Sequence, residues 1–171
     1  MRDRRKRYED LAREAARRAP GWRGRKEAMR GLTELLWAGL SADGVAWLGF
    51  YLLGPKGDSM VLEVCRPKPA CSPIGLHGVC GKALKEGRPQ IVADVHALGD
   101  RHIVCDPENR SEVVVPCFGA DGRCWGVLDL DSRDLDSFGA GDAEGLAQVL
   151  AAGGLTGAAC RAPQDEDHRT R

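Results

Sequence analysis

The sequence predicts an α+β fold in which an antiparallel sheet is flanked by N- and C-terminal helices within a single domain. Three observations lead there. Apolar residues recur at helical spacing near both ends of the chain, and short apolar runs between Gly-containing turns fill the middle. The length of 171 residues, with 43% hydrophobic and 29% charged residues, is that of an ordinary globular domain with a core of its own.

Each element has a local reason. Residues 6–18 read as a helix with a thin apolar stripe of Tyr8, Leu11, Ala12 and Ala15, broken by Pro20-Gly21. A second helix follows over about 25–40, where Met29, Leu32, Leu36 and Leu40 share a face beside Leu35 and Trp37. After the turn Ala42-Asp43-Gly44, residues 45–53 (VAWLGFYLL) are too apolar for an exposed strand and too short for a typical helix, so they predict a doubly buried central strand. Residues 54–58 make a hairpin loop and 60–65 the return strand. Residues 66–77 hold three prolines and read as irregular; GVCGKALKEG, 78–87, is a short helix ending at Gly87. QIVADV, 90–95, is a strand. A long polar loop over 96–111 comes next, of a length that in compact domains is often functional. EVVVPCF and CWGVLDLD, joined by a turn at 119–122, are two further strands, Asp142 to Ala159 is a closing helix, and the tail from Arg161 reads as disordered. The organisation expected is a basic N-terminal helix and linker over 1–24, a domain over 25–160 and a tail over 161–171.

Formal net charge is zero, which removes any global field toward nucleic acid or an acidic membrane. Residues 1–30 nevertheless carry twelve Lys/Arg against five Asp/Glu. A solvated helical face is the plain account of that excess, and an anionic partner the sharper one. No stretch approaches the roughly 20 apolar residues that span a bilayer, and no apolar run follows the charged N-terminus as in a secretory signal. A cytoplasmic protein is expected, in which seven cysteines are buried small hydrophobes, metal ligands or redox thiols rather than a disulfide framework.

The cysteines divide by setting. Cys65, Cys117, Cys124 and Cys160 sit in or beside apolar patterns and read as packing. Cys80 stands at a helix start, where the dipole lowers a thiol pKa. Cys71 lies in the irregular stretch and Cys105 in the long loop, where Arg101, His102 and Arg110 are placed to stabilise a thiolate and Asp106 to oppose it. Three such cysteines suit redox chemistry, which needs an attacking and a resolving thiol. The competing account is zinc on Cys65, Cys71, His77 and Cys80, against which no Cys-x-x-Cys pair is present. Asp129 and Asp131 alternate with leucines, so they share a strand face, and Glu112 opens a neighbouring strand. These carboxylates are either solvated strand ends or an anionic cluster suited to an ammonium group, with one member protonated and able to donate. Trp47 and Tyr51, four apart on one strand, are either core or the aromatic wall of a small-ligand pocket.

The elements Trp47-Leu-Gly-Phe-Tyr-Leu-Leu, Lys68-Pro-Ala-Cys71, Gly78-Val-Cys-Gly81, Ala93-Asp-Val-His96, Arg101-His-Ile-Val-Cys-Asp106, Arg110-Ser-Glu-Val-Val-Val-Pro116 and Gly126-Val-Leu-Asp-Leu-Asp-Ser132 occur in that order. The series resembles the free methionine-R-sulfoxide reductases, a GAF-domain family, over about residues 8–150. The resemblance implies a GAF-like fold and reduction of free L-methionine-(R)-S-oxide to L-methionine. It implies Cys105 as the nucleophile that becomes a sulfenic acid, Cys71 as the resolving cysteine that forms a disulfide with it, and Cys80 as an auxiliary cysteine. Glu112, Asp129 and Asp131 match the acidic substrate-site residues, with Glu112 the first choice of proton donor, and Trp47 and Tyr51 match the aromatic wall. It further implies recycling by a thioredoxin-type dithiol, no metal or organic cofactor, and pairing into a homodimer. Relative to the family pattern, the segment between Cys71 and Cys80 is one residue shorter and the loop before Cys105 one residue longer. The rival reading is a non-catalytic GAF module that senses a small ligand or redox state. A simple sensor gives the disposition of Cys71, Cys80 and Cys105 no purpose. A third class is an interaction protein that uses the basic helix.

Overall fold

A computed structural model of the chain describes residues 4–157, apart from the side chain of Arg101. The expected tail, Cys160 and the last residues of the expected closing helix lie outside the described residues. Six strands form one antiparallel sheet in the order β3-β2-β1-β6-β5-β4. The strands are β1 (Trp47–Leu53), β2 (Ser59–Arg66), β3 (Ile74–Gly75), β4 (Gln90–Val92), β5 (Ser111–Phe118) and β6 (Cys124–Ser132). Helices α1 (Arg5–Arg18), α2 (Gly24–Leu40) and α4 (Ala140–Ala152) supply one apolar layer, and α3 (Val79–Glu86) belongs to the opposite one. The α+β architecture predicted from the sequence is the one observed.

Strand alternation sorts the sheet into two faces. Leu48, Phe50, Val113, Val115, Leu128 and Leu130 join Leu32, Leu36, Leu40, Leu146 and Val149 in the main core. Trp47, Tyr51, Val114 and Val127 point the other way and pack with Val79, Cys80 and Ala83 of α3. The central strands are therefore buried on both sides, which is why residues 45–53 carry no polar alternation. Helix α1 belongs to the main core through Tyr8, Leu11 and Ala15. Its first residue contacts are polar and buried: Arg4 pairs with Asp142 at 2.8 Å, and the Tyr8 hydroxyl donates to the same carboxylate at 2.8 Å. The outer basic residues of α1 pair locally, Arg13 with Asp10 and both Arg17 and Arg18 with Glu14. No helix among the described residues is long and apolar enough to cross a membrane.

Four expectations are corrected. The strand expected over 90–95 stops at Val92, because the Asp94 side chain accepts a hydrogen bond from the His96 backbone N–H and caps a 3₁₀ helix over Val95–Arg101. The 96–111 loop is therefore partly helical, and it is pinned at its base by Val95 N–H to Arg110 O and by Arg110 N–H to Ser132 O, both 2.8 Å. The irregular stretch 66–77 contains the two-residue strand β3, paired with Ser59 and Met60 of β2. The closing helix ends at Ala152 rather than Ala159, where Gly153-Gly154 follow and Gly154 takes φ +73. Beyond it the chain returns to β5: the Gly157 N–H donates to Phe118 O, and the Phe118 N–H donates to the Thr156 hydroxyl.

Candidate active site

The cleft lies on the α3 side of the sheet. Glu112 stands directly opposite Asp131 in the β5–β6 ladder, and Asp131 directly opposite Trp47 in the β1–β6 ladder. Asp129, two residues along, and Tyr51 therefore emerge on this same face. Helix α3 covers it from above, bringing the Cys80 sulfur 3.4 Å from Asp129 Oδ2. The close approach depends on Gly81: a Cβ there would lie 2.2 Å from the carbonyl oxygen of Leu76. The mouth is formed by the 66–73 segment and by the loop bearing His102, Ile103 and Cys105. Trp47, Tyr51, Cys80, Cys105, Glu112, Asp129 and Asp131 all line the cleft.

Cys71 completes the set at the rim. Cys71 lies close enough to Cys105 for its side chain and backbone to be among the causes that shift the Cys105 thiol. Both cysteines are exposed and free thiols. The two segments that carry them are tied by an ion pair between Lys68 and Asp106 at 3.1 Å. The 66–73 segment is further fixed to the sheet, since Trp47 Nε1 donates to Lys68 O and the Tyr51 hydroxyl to Cys71 O, each at 2.8 Å. All eight residues singled out from the sequence thus converge on one cleft and its rim.

The electrostatics are those of an acidic hole without a countercharge. No Lys or Arg lines the cleft among the described residues. Burial is the main cause that pushes Glu112 and Asp131 well above the carboxylate range, with the Asp129 charge adding to both. Asp129 is pushed from an ordinary 3.8 to about 7 by burial, offset by hydrogen bonds from Cys80 and Glu112. Glu112 is therefore shifted toward its neutral, proton-bearing form. One oxygen of each, Glu112 Oε2 and Asp129 Oδ1, is buried with no partner.

The thiols depart from expectation. A helix start was expected to lower the Cys80 pKa; burial, then the Asp129 charge, instead raise it well above the thiol range. Cys105 is raised to about 12, first by desolvation and then by its hydrogen bond with Cys71. Two of the cations near it in sequence, Arg110 and His102, do not offset this. Arg110 turns to Asp94 at 3.6 Å, and burial lowers the pKa of His102, favouring its neutral form. Asp106 is held low by the Glu108 backbone N–H and by Lys68. The alternative zinc set dissolves: Cys65 bonds the Lys68 carbonyl at 3.3 Å, and Cys80 clusters with Glu112 and Asp129 rather than with Cys65, Cys71 and His77.

Comparison with known proteins identifies the fold and the family. Residues 25–152 match the GAF domain model. A free methionine-R-sulfoxide reductase from Neisseria meningitidis, solved in complex with its substrate, superposes with a TM-score of 0.80 at 31% identity, covering 89% of each chain. The chain belongs to the free methionine-R-sulfoxide reductase family. A second member, the fRMsr of Staphylococcus aureus in its reduced form, gives a TM-score of 0.72 at 36% identity over 85% of this chain and 92% of that one. The free methionine-R-sulfoxide reductase of Escherichia coli is 40% identical over 109 residues, and that match spans 63% of either chain.

Proposed function

We propose that this chain reduces free L-methionine-(R)-S-oxide to L-methionine at the cleft between β1, β5, β6 and α3. The observation that carries the reading is the approach of Cys105 to Cys71 at the mouth of a carboxylate cluster that no Lys or Arg lines among the described residues. A free amino acid brings an ammonium that a peptide-bound residue lacks, and Asp129 and Asp131 supply its partners. Backbone N–H groups at 78–81 are placed for the carboxylate, and Trp47 and Tyr51 wall the thioether end.

Sulfoxide oxygen leaves poorly unless it is protonated, and Glu112 holds the proton. The Cys105 sulfur attacks the sulfoxide sulfur, the S–O bond breaks, and the hydroxyl passes to Cys105 as a sulfenic acid while methionine departs reduced. The Cys71 thiol then displaces that hydroxyl as water and forms a disulfide with Cys105. Two thiols are oxidised for each sulfoxide reduced. A thioredoxin-type dithiol returns the pair to thiols by exchange, and no metal or organic cofactor takes part. The setting that supports such exchange is the cytoplasm, and the assembly we propose is a homodimer paired through its terminal helices.

The deciding assay couples turnover to thioredoxin, thioredoxin reductase and NADPH. It offers the free R epimer, the free S epimer and a peptide-bound sulfoxide. NADPH oxidation with the free R epimer alone, abolished in Cys105→Ser, is expected. Absence of turnover with every substrate, in a protein that still binds methionine, would move the reading to a ligand-sensing module.

A further inference from the structure

The reaction described above gives Cys80 no step, yet Cys80 is buried against two carboxylates. Its sulfur, one oxygen of Glu112 and one of Asp129 all lie within 4.8 Å of one another. We propose that Cys80, Glu112 and Asp129 form a site for a borderline-soft divalent ion of the zinc class, which occupies the cleft in place of substrate and shuts the enzyme reversibly. Occupancy of the site assumes nothing about the reaction; the inhibition rests on the reductase reading.

The donor set selects the ion. A thiolate with two carboxylates suits zinc, whereas magnesium and calcium take oxygen alone. Tetrahedral zinc, with Zn–S of about 2.3 Å and Zn–O of about 2.0 Å, separates its ligand atoms by roughly 3.3–3.5 Å. Cys80 and Asp129 already stand at 3.4 Å. Closing the third ligand from within 4.8 Å is a side-chain adjustment. The ligands come from three packed elements, α3, β5 and β6, which fix their relative positions.

The second sign is the pair of orphaned oxygens. Glu112 Oε2 and Asp129 Oδ1 are buried, line the cleft and have no hydrogen-bond partner. A dication held between these carboxylates gives their unpaired oxygens a positive neighbour, which no Lys or Arg among the described residues lining the cleft supplies. Binding displaces the Cys80 thiol proton and the carboxyl proton to solvent, as metal binding to protonated ligands requires. The fourth position opens on the cleft and takes water. An ammonium and a dication both need Asp129, so each excludes the other.

Cys71 and Cys105 are a second pair of thiols that can take a metal, so the test removes them. The full chain carrying C71S and C105S is titrated with Co²⁺, whose bond to a thiolate gives a near-ultraviolet charge-transfer band. One equivalent of Co²⁺ is expected, with a band bleached by Zn²⁺ and by excess L-methionine. C80S should abolish the band, and E112Q and D129N should each weaken binding at least tenfold; if circular dichroism shows C80S unfolded, those two carry the comparison. With the unaltered chain, Zn²⁺ should raise KM for the sulfoxide without lowering kcat, and a chelator should reverse it. Absence of the band, its survival in folded C80S, or failure of methionine to displace the ion would overturn the proposal. Metal binding as described in a chain that reduces no sulfoxide would leave the site standing and remove the reductase reading.

Discussion

The Tyr51 hydroxyl donates a 2.8 Å hydrogen bond to the backbone carbonyl of Cys71, twenty residues along the chain. Trp47 holds Lys68 in the same way. The aromatic pair, with ring centroids 6.1 Å apart, therefore has two tasks: its faces wall the cleft and its polar tips fasten the segment that carries Cys71. Tyr51→Phe keeps the wall and removes one fastening, at a cost of about 1 kcal/mol, or roughly fivefold in the population of the closed arrangement. In single turnover, more Cys105 sulfenic acid should be trapped by dimedone in Tyr51→Phe than in the parent. Equal trapping would show that Lys68–Asp106 and Trp47 hold the segment without it.

Asp129 titrates near 7 in the folded chain and near 3.8 when unfolded. Folding takes up a proton between those values, so this group lowers stability progressively as pH rises from about 4 to 7, and the full penalty stands above 7. Asp129→Asn removes the titration while keeping the shape. Urea unfolding should show the variant more stable than the parent at pH 8, by about 1–3 kcal/mol, with the difference shrinking toward pH 4. A difference independent of pH would contradict the assignment.

A buried ion pair joins the first helix to the last. Asp142 accepts from Arg4, from the Tyr8 hydroxyl and, at the start of α4, from the Gly139 N–H, each at 2.8 Å. Asp142→Ala leaves the Arg4 guanidinium buried and unpaired, and should cost about 3–5 kcal/mol. Thermal unfolding measures it; a loss below about 1 kcal/mol would mean that water enters and solvates Arg4.

The same network marks where sequence reading stopped. The stripe of Tyr8, Leu11 and Ala15 was legible at helical spacing, as were the strand faces and the shared face of Asp129 and Asp131. Arg4 gave no such signal, because an arginine in a basic N-terminal run looks solvated; only the fold brings Asp142 to it, 138 residues away. The candidate site residues were legible in their types and their order along the chain. Their protonation states were not, since burial against one another outweighs the helix start at Cys80 and the cations beside Cys105 in sequence. Asp94 is of a residue type that caps helices, but the apolar run of 90–95 around it favours a longer strand in the sequence.

Cys105 rests as a thiol, with its pKa pushed to about 12. Its alkylation by iodoacetamide, followed by mass spectrometry, should therefore rise about tenfold per pH unit through pH 10 without a plateau, since only the thiolate reacts. A plateau between pH 8 and 9 would place the thiol at its ordinary value. The Asp129 charge is one of the causes that oppose the thiolate. On the proposed reaction, a substrate ammonium paired with Asp129 would weaken that opposition and so prime Cys105 when substrate is present.

Gly81 sets the height of α3 above the sheet. A Cβ at this position would lie 2.2 Å from Leu76 O and 2.5 Å from Leu76 Cα, backbone atoms that no side-chain rotation can clear. Gly81→Ala forces either α3 or the turn at Leu76 that follows β3 to move, and in the first case Cys80 moves with it. A loss of stability of about 1–3 kcal/mol is expected, the range for overpacking. The carboxylate cluster reports the displacement separately. Moving the Cys80 sulfur away from Asp129 removes a hydrogen bond that favours the charged carboxylate, so Asp129 should titrate higher in the variant than in the parent. Carbon-13 NMR of labelled aspartate over pH 5–9 measures that shift. An Asp129 titration unchanged in a destabilised Gly81→Ala would show that the strain is taken up by the turn at Leu76 and that α3 keeps its place over the cleft.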